Sequence, residues 1–184
     1  MEIVNKRQWK INKILHYLLK ERFRKKIDFN FPKNLDRWNL INEIILIKNF
    51  SSYLEIGCDN DDAFSKIKLK DKIGVDPHSG GNFRGTSDLF FQQNNKKFDC
   101  IFIDGLHEYD QVNKDILNSL NSLNENGIIL LHDCLPKSMN QQAVPRFQWV
   151  WNGDVWKSIV KFRCRNDLDI VTCKIDHGIS IIRK

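Results

Sequence analysis

Tyr53-Leu54-Glu55-Ile56-Gly57-Cys58-Asp59-Asn60 is where the grammar of the chain changes: a short apolar run closes on an acidic residue and a glycine. The construction returns at 72–75, ended by Asp76-Pro77, at 99–103, ended by Asp104-Gly105, and at 128–131, ended by His132-Asp133. Continuous apolar runs of this length are what a parallel sheet covered on both faces requires. A short strand at 82–86, helices over 111–123 and 156–163, and strands at 169–174 and 178–182 joined by Asp176-His177-Gly178 complete the pattern. It predicts an α/β, Rossmann-like, seven-stranded sheet, mostly parallel, with an antiparallel C-terminal strand pair and N-terminal helices.

Upstream, Ile11, Ile14, Leu15, Leu18, Leu19 and Phe23 recur at helical steps, predicting an amphipathic helix to about Arg24. A second helix is predicted from Asp36 to Lys48, with Trp38, Ile41, Ile44 and Ile45 facing inward. The organisation expected is a helical extension over 1–50 and one α/β domain over 51–184. A length of 184 residues suits one domain, and 41% apolar residues with only nine Gly and four Pro exclude disordered and low-complexity classes.

The formal charge of +6 is local. Residues 1–40 hold 11 Lys or Arg against four Asp or Glu, and residues 41–184 hold 18 against 19. Five cysteines without a CxxC pair point to a reducing compartment, hence a cytoplasmic protein. No signal peptide and no membrane span is expected, since lysines and arginines interrupt the first twenty residues and no apolar window is long enough.

Ligands of open parallel sheets bind beyond the carboxyl ends of the strands. There the chain places Glu55 and Gly57, Asp76, Ser87 and Asp88, Asp104 to His107, and His132 with Asp133. Asp76, nineteen residues after Gly57, has the position of an acid that holds a ribose diol. A GxGxxG loop is absent, and Asp59, Asp61 and Asp62 would repel a pyrophosphate, so the loop suits a cationic or zwitterionic ligand. The plainer alternative is an ordinary strand-turn corner whose glycine permits positive φ.

YLEIGC at 53–58, GVDP at 74–77, GTSDLFF at 85–91, FIDGLHEYDQVNKD at 102–115 and GIILLHDCLP at 127–136 together resemble class I S-adenosylmethionine-dependent methyltransferases. The resemblance is to the group similar to sugar O-methyltransferases and cephalosporin-hydroxylase-like proteins, and 153–163 and 176–184 look like its tail. It implies that Glu55 and Gly57 lie under the methionine part of the cofactor, that Asp76 binds the ribose, and that Ser87 and Asp88 approach the adenine. It further implies a divalent cation, Mg²⁺ or similar, on Asp104 and Asp133, with His132 as an adjacent ligand; the alternative is that both acids are strand-end caps.

The chemistry implied is attack of an acceptor hydroxyl on the sulfonium methyl, with Asp104 and His107 as catalytic residues and His107 the candidate base. Trp149 and Trp151 are open to a role in lining an acceptor pocket. The expected partner is a small hydroxylated acceptor such as a sugar, not nucleic acid. The basic head has three readings: a packing helix or lid, a homo-oligomer contact through the N-terminal helix, or an adhesive surface for phosphates or anionic lipid. Rival functions are a nicotinamide oxidoreductase and a catalytically idle cofactor-binding domain serving as subunit or scaffold.

Overall fold

In the computed structural model, strand β1 (Ser52–Ile56) is buried along its whole length, because its neighbours on both sides are parallel strands and both of its faces carry a core layer. The structure describes residues 35–184 and, in isolation, Leu18. The helix expected to Arg24 therefore lies outside the described residues, apart from that one position. Residues 35–184 belong to one compact unit.

After helix α1 (Arg37–Lys48) and β1 come β2 (Asp71–Asp76), β3 (Phe83–Arg84), α2 (Ser87–Gln93), β4 (Phe98–Ile103) and α3 (Tyr109–Asn121). Strand β5 (Leu123–Leu131), α4 (Val155–Phe162), β6 (Asp169–Cys173) and β7 (Ile179–Arg183) follow. The seven strands order as β3-β2-β1-β4-β5-β7-β6. The first five are parallel, β7 runs antiparallel to β5, and β6 pairs antiparallel with β7. The sheet is thus the one the sequence predicts.

Side chains alternate across each strand and sort into two layers. Leu54, Ile56, Ile101, Ile103, Ile129 and Leu131 face α3 and α4 through Val112, Ile116, Leu120, Val155, Ile159 and Phe162. Tyr53, Cys100, Phe102, Ile128 and Leu130 face the other way, against Ile41 and Ile45 of α1 and Phe64. Burying a side chain such as Ile101, which is fully enclosed, contributes about 1.5–3 kcal/mol.

Three departures from the sequence reading have local causes. Helix α2 was not expected; only Phe90 of its seven residues is buried, too little for a periodic signal, and Thr86 starts it by accepting the Leu89 N–H at 3.2 Å. Helix α3 stops two residues short of the expected Leu123, which instead pairs with Phe98 as the first residue of β5. Between β1 and β2 the chain makes only a 3₁₀ turn, Phe64–Lys66, so no α-helix starts behind Gly57.

Strand order reverses between β1 and β4, which places the ligand crevice at their carboxyl ends. Gly57 is required there. A Cβ at this residue, whose φ is +85°, would stand 2.3 Å from the Asp104 carbonyl oxygen.

Candidate active site

A cavity of about 350 Å³ opens at the switch point. One wall is Glu55, Gly57, Cys58, Asp59, Asn60 and Asp62; the other includes Arg37, Asp104, His107, Arg146 and Trp151. Glu55 is 1% exposed and accepts the Tyr53 hydroxyl proton at 2.5 Å. Burial pushes its pKa up to about 8, against the lowering effect of that hydrogen bond.

The second wall is an ion network assembled from four parts of the chain. Parallel pairing sets Ile103 opposite Leu131, and the His132 N–H donates to the Ile103 carbonyl, so Asp104 and His132 leave the sheet side by side. Asp133 follows with φ +58°, which turns its carboxylate back toward the same point. His132 Nδ1 lies 2.9 Å from Asp104 Oδ1. His107 Nε2 is 3.4 Å from Asp104 Oδ1 and its Nδ1 is 3.2 Å from Asp133 Oδ2. Asn152 donates to Asp133 Oδ1 at 2.7 Å.

Two members come from elements the sequence reading did not connect to the site. Arg37, the first residue of α1, holds Asp176 at 3.0 Å and stands with Nε 3.6 Å from Asp104 Oδ2. Asp176 sits in the β6–β7 turn, 3.6 Å from His132 Nε2. Three carboxylates, Asp104, Asp133 and Asp176, thus meet three cationic partners, Arg37, His107 and His132. Burial favours the neutral form of each acid and imidazole, but the mutual attractions dominate. His132 is held well above the usual histidine range and His107 is raised, while Asp104 and Asp176 are held well below the usual carboxylate range.

The network leaves room for another group. Arg37 Nε, His132 Nε2 and Asn152 Oδ1 are buried without a hydrogen-bond partner, and such atoms normally find one. One donor atom each from Asp104, His107 and Asp133 lie within 4.8 Å of one another, a spacing that fits a divalent cation. The structure thus gathers His107 with the two carboxylates, and the expected His132 also lies against both, its Nδ1 2.9 Å from Asp104 Oδ1 and 3.5 Å from Asp133 Oδ2.

The remaining expected residues are placed differently. Asp76 is 8% exposed and its carboxylate is occupied by backbone N–H groups. Ser87 and Asp88 do not line the cavity; both accept hydrogen bonds from Gln111, and Asp88 pairs with Lys114. Trp151 lines the cavity and stacks on His107 with ring centroids 5.2 Å apart, whereas Trp149 is exposed and is not part of the wall. Gly153 makes the Trp151 contact possible, because a Cβ there would fall 1.7 Å from the His107 carbonyl oxygen. Arg37, Arg146 and Asn152 gave no sequence signal, and the residues of the Asp176-His177-Gly178 turn were legible only as a turn.

A family model described as a methyltransferase domain matches residues 56–134, the span from the end of β1 to the Asp133 turn. The match agrees with the resemblance of the sequence motifs to class I, S-adenosylmethionine-dependent methyltransferases. Solved methyltransferases share its fold. A Podospora anserina methyltransferase bound to S-adenosylhomocysteine matches with a TM-score of 0.63 and 15% identity, covering 100% of this chain and 98% of that one. The O-methyltransferase TomG of Streptomyces achromogenes, involved in tomaymycin synthesis and solved with S-adenosylmethionine, gives 0.62 and 10% identity, over 92% and 95%. An O-methyltransferase of Bacillus cereus in complex with S-adenosylhomocysteine gives 0.60 and 8% identity, over 100% and 93%. No curated protein sequence is a significant match. Among the described residues, no helix is long and apolar enough to cross a membrane.

Proposed function

We propose that the chain transfers a methyl group from S-adenosylmethionine to a hydroxyl of a small acceptor, such as a sugar, with help from a divalent cation. The observation that carries this is the junction within one cavity of an acidic, phosphate-repelling wall with Asp104 and His107, which His132 and Asp133 contact from behind. S-adenosylmethionine supplies the electrophilic methyl when bound, and the acidic loop of Asp59 and Asp62 suits its positive charge. Asp104, Asp133 and His107 would hold the cation, which when bound lowers the pKa of an acceptor hydroxyl. Two oxygens and one imidazole nitrogen suit a transition ion such as Mn²⁺ at least as well as Mg²⁺.

The residues themselves position the acceptor and set the pH at which the site works. Trp151 offers an aromatic face, held by its indole N–H to the Ala143 carbonyl at 2.6 Å. His107 faces acceptor oxygens with both ring nitrogens, and the carboxylates of Asp104 and Asp133 favour its protonated form against the effect of burial. It can hold a cation only in its neutral form, which places cation-assisted methyl transfer on the alkaline side of its raised pKa.

Calorimetric titration with S-adenosylhomocysteine, followed by transfer of labelled methyl to a sugar panel with and without Mn²⁺ or Mg²⁺, tests the reading. Saturable binding is expected, and Asp133→Asn is expected to lower turnover by about 10²-fold or more. Unchanged turnover in that variant would remove the cation from the mechanism. Absence of binding would remove the methyl donor.

A further inference from the structure

We propose that Arg146 selects an anionic acceptor: a hydroxylated compound, such as a sugar acid or a sugar phosphate, whose carboxylate or phosphate pairs with this guanidinium. The assignment rests on the methyl-transfer reading above and names the acceptor class of the same cavity. Three side chains of the cavity wall carry a guanidinium or an imidazole, Arg37, His107 and Arg146. Arg37 stands 3.0 Å from Asp176 and 3.6 Å from Asp104, and His107 3.4 Å from Asp104 and 3.2 Å from Asp133. Together with His132 they balance the carboxylates of that network. Arg146 is the cation left over. Among the described residues no carboxylate pairs with it.

Its own loop, between β5 and α4, holds Arg146 in place without neutralising it. Nε donates to the Gln148 carbonyl at 3.0 Å and Nη2 to the Trp149 carbonyl at 2.8 Å. The guanidinium carbon lies 5.6 Å from the Trp151 ring centroid and 5.8 Å from that of Trp149, within the range of cation–π attraction. Two of the three nitrogens are thus occupied by neutral acceptors, and Nη1 remains to donate to a ligand. A guanidinium fixed in this way has less freedom to lose when an anion binds. Charge is also sorted across the cavity. Residues 134–153 include Lys137 and Arg146 and no Asp or Glu, whereas the facing wall carries Asp59 and Asp62. That acidic side suits a sulfonium and repels an anion, which is drawn instead to Arg146, so the charge of the acceptor fixes which of its ends faces the methyl donor.

The experiment titrates the protein, loaded with S-adenosylhomocysteine at low salt, with glucuronate, glucose 6-phosphate and glucose by calorimetry. At least one of the acidic sugars is expected to bind about tenfold or more tighter than glucose, the size of one charge-assisted hydrogen bond; the two acidic arms tell a carboxylate from a phosphate. In Arg146→Gln the preference should shrink below about threefold, and in Arg146→Lys, which keeps the charge without the planar fork, about threefold or more should persist. Lys137→Gln, on the same loop but off the cavity wall, should keep the full preference. Equal binding of glucose, no binding of either acidic sugar, or a preference retained in Arg146→Gln overturns the assignment. Its loss in Lys137→Gln overturns it too, because the effect would then belong to the charge of the loop at large. A wild type that binds no S-adenosylhomocysteine overturns the methyl-donor reading itself, and this assignment with it.

Discussion

Glu55 shows how one residue can link the cavity to stability. Its carboxyl is enclosed beside Tyr53, and burial raises its pKa from 4.5 to about 8. A raised acid binds its proton more tightly in the folded chain, so stability is lost as pH climbs from about 4.5 through about 8. The loss is on the order of 3–5 kcal/mol for such a shift. Glu55→Gln is expected to melt with the wild type at pH 5 and several degrees above it at pH 9; identical pH dependence of the two melts would disprove the burial argument. Glu55 was legible as a site residue because it stands at a strand end before Gly57. Its proton was not, since that depends on how completely Tyr53 and the facing strands exclude water.

At the scale of elements, the close approach of β1 to the end of β4 at the switch point shapes the cavity. β1 ends against the Asp104 carbonyl through Gly57, so Gly57→Ala is expected to impose both a positive φ on alanine and a contact far inside van der Waals distance. The cost should exceed about 1 kcal/mol, read as a Tm several degrees lower, with cation binding weakened because Asp104 is the residue displaced. A variant that melts and binds as the wild type does would show that the β1–β4 corner tolerates spreading. Sequence reading located the strands because apolar runs of a two-face-buried sheet are local in sequence. It missed α2, whose single buried side chain leaves no period, and the contribution of α1, whose Arg37 enters the site only because Ile41 and Ile45 pack that helix onto the sheet.

For the whole molecule, the charge divides as the composition implies. Removing residues 1–26 takes away nine Lys or Arg and two Asp or Glu, leaving 20 against 21, a net of −1. The deletion is expected to abolish retention on phosphocellulose at low salt while S-adenosylhomocysteine binding persists; retained binding to the resin would move the basic surface into the α/β unit. The sequence by itself determined the seven-stranded α/β sheet, the strand ends as the place of chemistry and the acidity of the loop after β1, because each follows from residues adjacent in the chain. Only the tertiary structure decided that Arg37, His107, Asp133 and Asp176 share one network, that His107 stands beside His132 against the two strand-end carboxylates, and that Asp76 is occupied by backbone N–H groups. Those outcomes turn on the direction in which side chains leave a turn at positive φ and on which distant loop then lies within hydrogen-bond reach.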